Sequence, residues 1–184
     1  MKGVIFTELM EMIESKFGFD VVDRIIDEAD LESGGVYTAT GTYSHLEAVQ
    51  IVMALSNISG ISPGDLQLVF GEHLFGRLLE RFPQCVGDEQ DLFSFLESIE
   101  EHIHVQVLKL HPEAQLPSFE CERSADGRML SMTYSSARHF DAIAEGLIRG
   151  AAAHFVTPVS IESEPVPGGA GTIFRIREAG AEAA

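Results

Sequence analysis

The sequence has no tryptophan and only two cysteines, Cys85 and Cys121. Two thiols exclude a disulfide framework and a four-thiolate metal site. Positive charge is also scarce: 12 Lys and Arg stand against 29 Asp and Glu, a formal net charge of −17. Nucleic acids and anionic membrane surfaces both call for clustered Lys and Arg, so neither suits this chain as a main partner. No stretch approaches the roughly 20 apolar residues of a membrane span. The opening MKGVIFTELMEMIESKFGFD places Glu8, Glu11 and Glu14 where a secretory signal would keep an unbroken apolar run. Together these absences predict a cytoplasmic setting.

What remains is ample for a folded domain. Of 184 residues, 45% are hydrophobic and 22% charged, which rules out a disordered acidic tail. Twelve phenylalanines provide bulk for a core or a ligand cavity.

The first two thirds of the chain read as helices. Residues 2–16 set Ile5, Leu9, Met12 and Ile13 on one face. Asp20 opens a short helix carrying Val21, Val22, Ile25 and Ile26, and the glycine-bearing stretch 31–44 reads as a loop. Ser44 and Glu47 form a capping box for a helix that ends near Gly60. Ser62-Pro63 starts the next helix, which runs to about Arg81, and another is predicted over 89–110. From residue 117 strand patterns take over. FECER and MLSMTY flank an Asp126-Gly127 turn, a helix covers 138–154, and VTPVSIES and GTIFRIRE flank a second hairpin turn at 165–169. The tail AGAEAA is expected to fray. The predicted class is α+β: an N-terminal helical lobe followed by a ββαββ lobe with an antiparallel sheet.

Two groups of residues could carry chemistry. Tyr134, Ser136 and Arg138 alternate where a strand runs out, and two hydroxyls with a guanidinium make a clamp for carboxylates or phosphates. The plainer reading is a strand end with an ordinary helix cap. The second group is the histidines. Within 89–110, Leu92, Phe95, Leu96, Ile99, Ile103, Val107 and Leu110 share a stripe, and His102 and His104 fall on its opposite flanks. His73 faces another stripe. Periodicity does not choose among the three.

MKGVIFTEL at the N-terminus, IHVQVLKLHPEAQLP at 103–117 and the Tyr134-x-Ser136-x-Arg138 motif together resemble the H-NOX family, the heme nitric oxide/oxygen binding domains. The resemblance spans about 1–178, leaving 179–184 as tail. It implies one heme b domain, with a distal helical part at about 1–62, a proximal heme-holding part at 63–178, and heme between them. It also implies that His104, rather than His102, is the axial ligand, a common role for neutral imidazole. Tyr134, Ser136 and Arg138 match the residues that bind the heme propionates, and Pro117, thirteen residues after His104, matches the proline that distorts the porphyrin.

On the distal side the sequence departs from the oxygen-binding members. Their distal tyrosine lies nine residues after the motif tyrosine, where this chain has Ile143. The resemblance therefore implies an apolar pocket of Ile5 (or Val4), Leu9, Leu74, Ile143 and Leu147. Such a pocket binds NO and CO without stabilising oxygen. The implied role is a sensor and not an enzyme, acting in trans on a histidine kinase or on a diguanylate cyclase or phosphodiesterase. A heme enzyme handling NO or peroxide would want a distal acid–base group, which these positions do not offer. A heme-free adaptor would be expected to lack His104 or the clamp. Cys85 and Cys121 read as buried, inert thiols.

Overall fold

The computed structural model describes residues 1–87, 89, 91–169 and 171–180. Local signals set most element boundaries. Helix α1 (Gly3–Phe17) and α2 (Phe19–Glu28) meet at Gly18. Ser44 caps α3 (His45–Ser59) by accepting from the Leu46 amide at 3.3 Å, and Gly60, with φ +73°, ends it. Ser62 accepts from the Asp65 amide at 3.1 Å, and Pro63 opens α4 (Pro63–Arg81) where its missing N–H costs nothing. A short 3₁₀ turn (Pro83–Cys85) leads to α5 (Leu92–Ser98), whose cap is Asp91.

The second half holds β1 (Ser118–Arg123), β2 (Met129–Ser135), α7 (Asp141–His154), β3 (Val159–Pro165) and β4 (Thr172–Glu178). They form one antiparallel sheet in the order β1-β2-β4-β3, so β2 and β4 are interior. The Asp126-Gly127 turn joins β1 to β2, with Gly127 at φ +71°. Along β2, Leu130, Met132 and Tyr134 alternate inward.

Two apolar cores result. The first gathers Phe6, Leu9, Met12 and Ile13 of α1, Ile25 of α2, Ile51 and Leu55 of α3, and Leu66, Phe70 and Leu74 of α4. The second gathers Leu92, Phe93, Phe95 and Leu96 of α5, the inward face of β2, Ile148 and Ala151 of α7, and Phe174 and Ile176 of β4. Helices α4 and α7 serve both, and they pack on each other more extensively than any other two elements described. Their crossing is at Gly71 and Gly146. A Cβ at either glycine would collide with backbone of the other helix.

The helical elements depart from the sequence expectation in three places. The helix expected over 89–110 is α5, then a π segment (Ile99–His104), then α6 (Val105–Leu110). A π turn holds more residues than an α turn, so the side chains of α6 are rotated about the axis relative to those of α5. Leu110, assigned to the buried stripe, is accordingly 72% exposed. The helix expected from 138 begins at Asp141, because 136–140 form a turn with His139 at φ +52°. Glu47 does not close a capping box. It is buried and accepts instead from Ser33 and from the Tyr37 hydroxyl at 2.8 Å, pinning the 31–44 loop to α3. Of the tail, 181–184 lie outside the described residues.

Candidate functional site

The π segment sets His104 half-buried against the sheet, its ring centroid 5.6 Å from that of Phe119 in β1. Its Nδ1 lies 2.8 Å from Glu100 Oε2. Phe119 in turn lies 5.6 Å from Tyr134, its register partner on β2. Tyr134 is 4% exposed, and its hydroxyl lies against Ser136 and the Phe140 backbone; burial raises its pKa. Phe140 packs on the first core beside Ile5, Ile143 and Leu147, with Leu9 and Leu74 fully within it. A continuous path of contacts thus runs from His104 through Phe119 and Tyr134 to the core that holds all five apolar residues expected on the distal side.

Tyr134, Ser136 and Arg138 come together by a different route from strand alternation. β2 stops at Ser135, and the chain turns so that the Arg138 amide donates to Ser136 Oγ at 3.2 Å. The Arg138 guanidinium donates to Gln115 at 3.2 Å, tying the clamp to the loop that carries Pro117. The same loop is held from the helical side, where Lys2 pairs with Glu113 at 3.2 Å. Positive charge accumulates at this end. The Met1 ammonium, donating to the Tyr43 carbonyl at 2.6 Å, has its pKa lowered by burial and then by Arg138. His45, stacked edge-on to Phe140, is lowered by burial and then by Arg138.

Other candidates lie elsewhere. His102 is exposed. His73 has its pKa lowered chiefly by burial and sits 3.9 Å from Glu8. Glu8 itself is fully buried on α1. Arg77 Nε donates to its Oε2 at 2.7 Å, while Arg81 approaches Oε1 at 2.6 Å off the hydrogen-bond direction, a charge contact only. Cys85 and Cys121 are half-buried rather than buried, and burial pushes the Cys121 thiol up to about 11. Sequence reasoning missed Glu100, Phe119, Gln115, Met1 and His45. Only Glu100 had a local signal, its spacing of four residues before His104; the rest depend on strand register or chain reversal.

The chemistry of this donor set suits a flat, mostly apolar dianion that carries a metal. An imidazole stands on one side, hydrocarbon on the other, and hydroxyl, guanidinium and ammonium donors gather at one edge. That is the description of a heme site, and the residues present fit the group. The class of protein defined is a heme-binding domain.

Comparison with known proteins gives the family. The haem-NO-binding family profile matches residues 2–163, and the chain belongs to that family. Among solved structures it is similar to the Fe(II) unliganded H-NOX protein of K. algicida, with 37% identity, full coverage of both chains and a TM-score of 0.91. The H-NOX of Shewanella woodyi, solved with IWP-051 in the Fe(II)CO state, is 38% identical over 100% of this chain and 97% of its own, with a TM-score of 0.84. That of S. oneidensis in the Fe(II)NO state is 28% identical over 97% and 99%, with a TM-score of 0.89. The soluble guanylate cyclase gcy-35 of Caenorhabditis elegans is 25% identical over 156 residues, 81% of this chain but 22% of that protein, so the chain spans about a fifth of its length. No helix among the described residues is long and apolar enough to cross a membrane.

Proposed function

We propose that this chain is a cytoplasmic gas sensor that holds ferrous heme b, binds NO and CO, and forms no stable oxygen complex. The observation that supports the reading is the asymmetry of the gathered residues. His104 stands on the sheet side, whereas Ile5, Leu9, Leu74, Ile143 and Leu147, all hydrocarbon, belong to the helical core. Heme held here would be ligated by His104 and would supply an iron able to bind NO and CO. Oxygen bound to ferrous iron carries partial negative charge and needs a donor to persist, whereas NO and CO need one much less. One charge-assisted hydrogen bond is worth about 1.5–3 kcal/mol, or roughly tenfold to a hundredfold in affinity. Hydrocarbon withholds it.

The remaining residues position and report. Tyr134, Ser136 and Arg138 would hold the propionates, and Pro117 would face the porphyrin from a loop tied to Arg138 through Gln115. His104 ends the π segment ahead of α6, so a change in its hold on the group would be felt by that stretch and by the Pro117 loop beyond it. A separate signalling protein reads the altered surface, either a histidine kinase or a diguanylate cyclase or phosphodiesterase. Regulation requires that partner to bind the two states with different affinity. Ile5, Leu9, Leu74, Ile143 and Leu147 carry no acid–base group for peroxide chemistry, and the buried Glu8 carboxylate is occupied by Arg77 and Arg81.

The test is an absorption spectrum of the purified protein, reduced and then exposed to air, CO and NO. Spectra that change with CO and NO but not to an oxy form in air support the reading. A stable oxy spectrum overturns the selectivity, and a colourless protein that refuses added hemin overturns the sensor itself. His104→Gly should lose heme unless imidazole is supplied; if His102→Gly does so instead, the ligand is His102.

A further inference from the structure

Glu100 lies four residues before His104 in the π segment, and a single oxygen of its carboxylate does two things. Oε2 faces His104 Nδ1 at 2.8 Å and accepts the Phe119 amide of β1 at 3.3 Å. The Phe119 ring itself lies beside the imidazole, the two centroids 5.6 Å apart. The ring therefore touches a carboxylate and an aromatic side chain, and both contacts lead to the same residue of β1.

A neutral imidazole carries one N–H, and an ionised carboxylate only accepts. With Nδ1 facing Glu100, the proton belongs on Nδ1 and the lone pair on Nε2, the nitrogen left to coordinate a metal. Histidines that ligate metals commonly donate their second nitrogen in this way, and the carboxylate partner makes the ring a stronger donor. Because Glu100 is also fastened to β1, it fixes the orientation of the ring relative to the sheet.

We propose that Glu100 is the positioning residue of His104, and that through this contact it sets how firmly the histidine holds heme iron and how readily NO releases it. This rests on His104 being the axial ligand. Weakening the contact lowers the donor strength of the ring. The bond to iron lengthens, heme leaves sooner, and NO breaks the bond with less resistance. The side chain of Glu100 is 42% exposed, so its replacement leaves the packed cores intact.

The experiment uses heme-loaded protein and the variants Glu100→Gln, Glu100→Ala and Glu100→Asp, beside His104→Gly. Resonance Raman of the ferrous state reads the iron–histidine stretch, and transfer to apomyoglobin reads heme loss. Glu100→Gln and Glu100→Ala should shift the stretch to lower frequency. In Glu100→Ala heme loss should rise by about tenfold to a hundredfold, the usual penalty for deleting such a partner. Glu100→Asp, which keeps the charge on a shorter arm, should restore part of the stretch, a recovery that a purely structural role would not give. A stretch unchanged in both Glu100→Gln and Glu100→Ala overturns the proposal while leaving the ligand reading intact. If His104→Gly retains the native iron–histidine band, the ligand reading fails and the proposal falls with it.

Discussion

Replacing Gly146 by alanine tests how rigidly α4 and α7 set the helical wall of the site. A Cβ at Gly146 would collide with the Leu68 carbonyl and stand 2.8 Å from Gly71 Cα and 2.9 Å from Glu72 N. Carbon atoms pack comfortably at about 3.5–4.0 Å, so the helices must part by roughly 1 Å at the crossing. Every colliding atom is backbone, and no side-chain rotation relieves it. Overpacking costs about 1–3 kcal/mol, and with backbone on both sides the upper half of that range applies. For a domain of this size, 2–3 kcal/mol corresponds to a fall in Tm of about 4–12 °C. Gly76 on α4 is the internal control, since a Cβ there meets nothing within 4 Å. Gly76→Ala should stabilise by about 0.4–1 kcal/mol, the ordinary gain for glycine to alanine at a compatible site. Urea and thermal unfolding of heme-loaded protein measure both. Gly146→Ala within about 0.5 kcal/mol of the parent would refute the reasoning, because it would mean that the crossing adjusts freely.

Glu8→Ala removes the buried carboxylate that Arg77 and Arg81 share, leaving Arg77 only its outer partners Glu11 and Glu80. The arginines are about one-third exposed, so the cost in urea unfolding should fall at the low end of about 3–5 kcal/mol, and a cost under 1 kcal/mol would deny Glu8 its role. His73 has a pKa depressed below its unfolded value near 6.5, so it contributes stability above about pH 6.5 that is lost as pH falls through the folded value. His73→Gln should flatten that part of the stability–pH curve, and an unchanged slope between pH 7 and 5 would contradict the assignment. Ile143→Tyr places a phenol on the apolar wall and should give an oxy spectrum in air, with oxygen held about ten- to a hundredfold more tightly; a variant as unreactive in air as the parent would mean that the hydroxyl points away.

The parts of the fold that were legible in the sequence are those decided by neighbours. Ser62-Pro63, Gly60 and Asp126-Gly127 each satisfy or free backbone groups within a few residues, and each lies where expected. The π segment was not legible, because a stripe drawn at about 100° per residue assumes a continuous α-helix. Glu8 and Glu47 look like solvent-facing residues until Arg77, Arg81, Ser33 and Tyr37 arrive from elsewhere in the chain. The clamp illustrates both cases. Its donors were recognisable as residue types, but Ser136 and Arg138 reach Tyr134 through a turn past Ser135, not through the alternation of a strand. Phe119 needed the pairing of β1 with β2, a register that no local pattern specifies.

The strand order β1-β2-β4-β3 also governs when the sheet can come into being. Both hairpins close locally, yet the central seam joins Met129 to Arg177 and Tyr134 to Thr172, across the whole of α7. Contacts of such long sequence separation form late, since the intervening loop must be closed before they contribute. During synthesis β2 therefore waits with one edge bare until β4 has left the ribosome. Tyr134 sits on that edge, so the donor end of the site is assembled among the last events of folding, after the helical half has had time to form its own core.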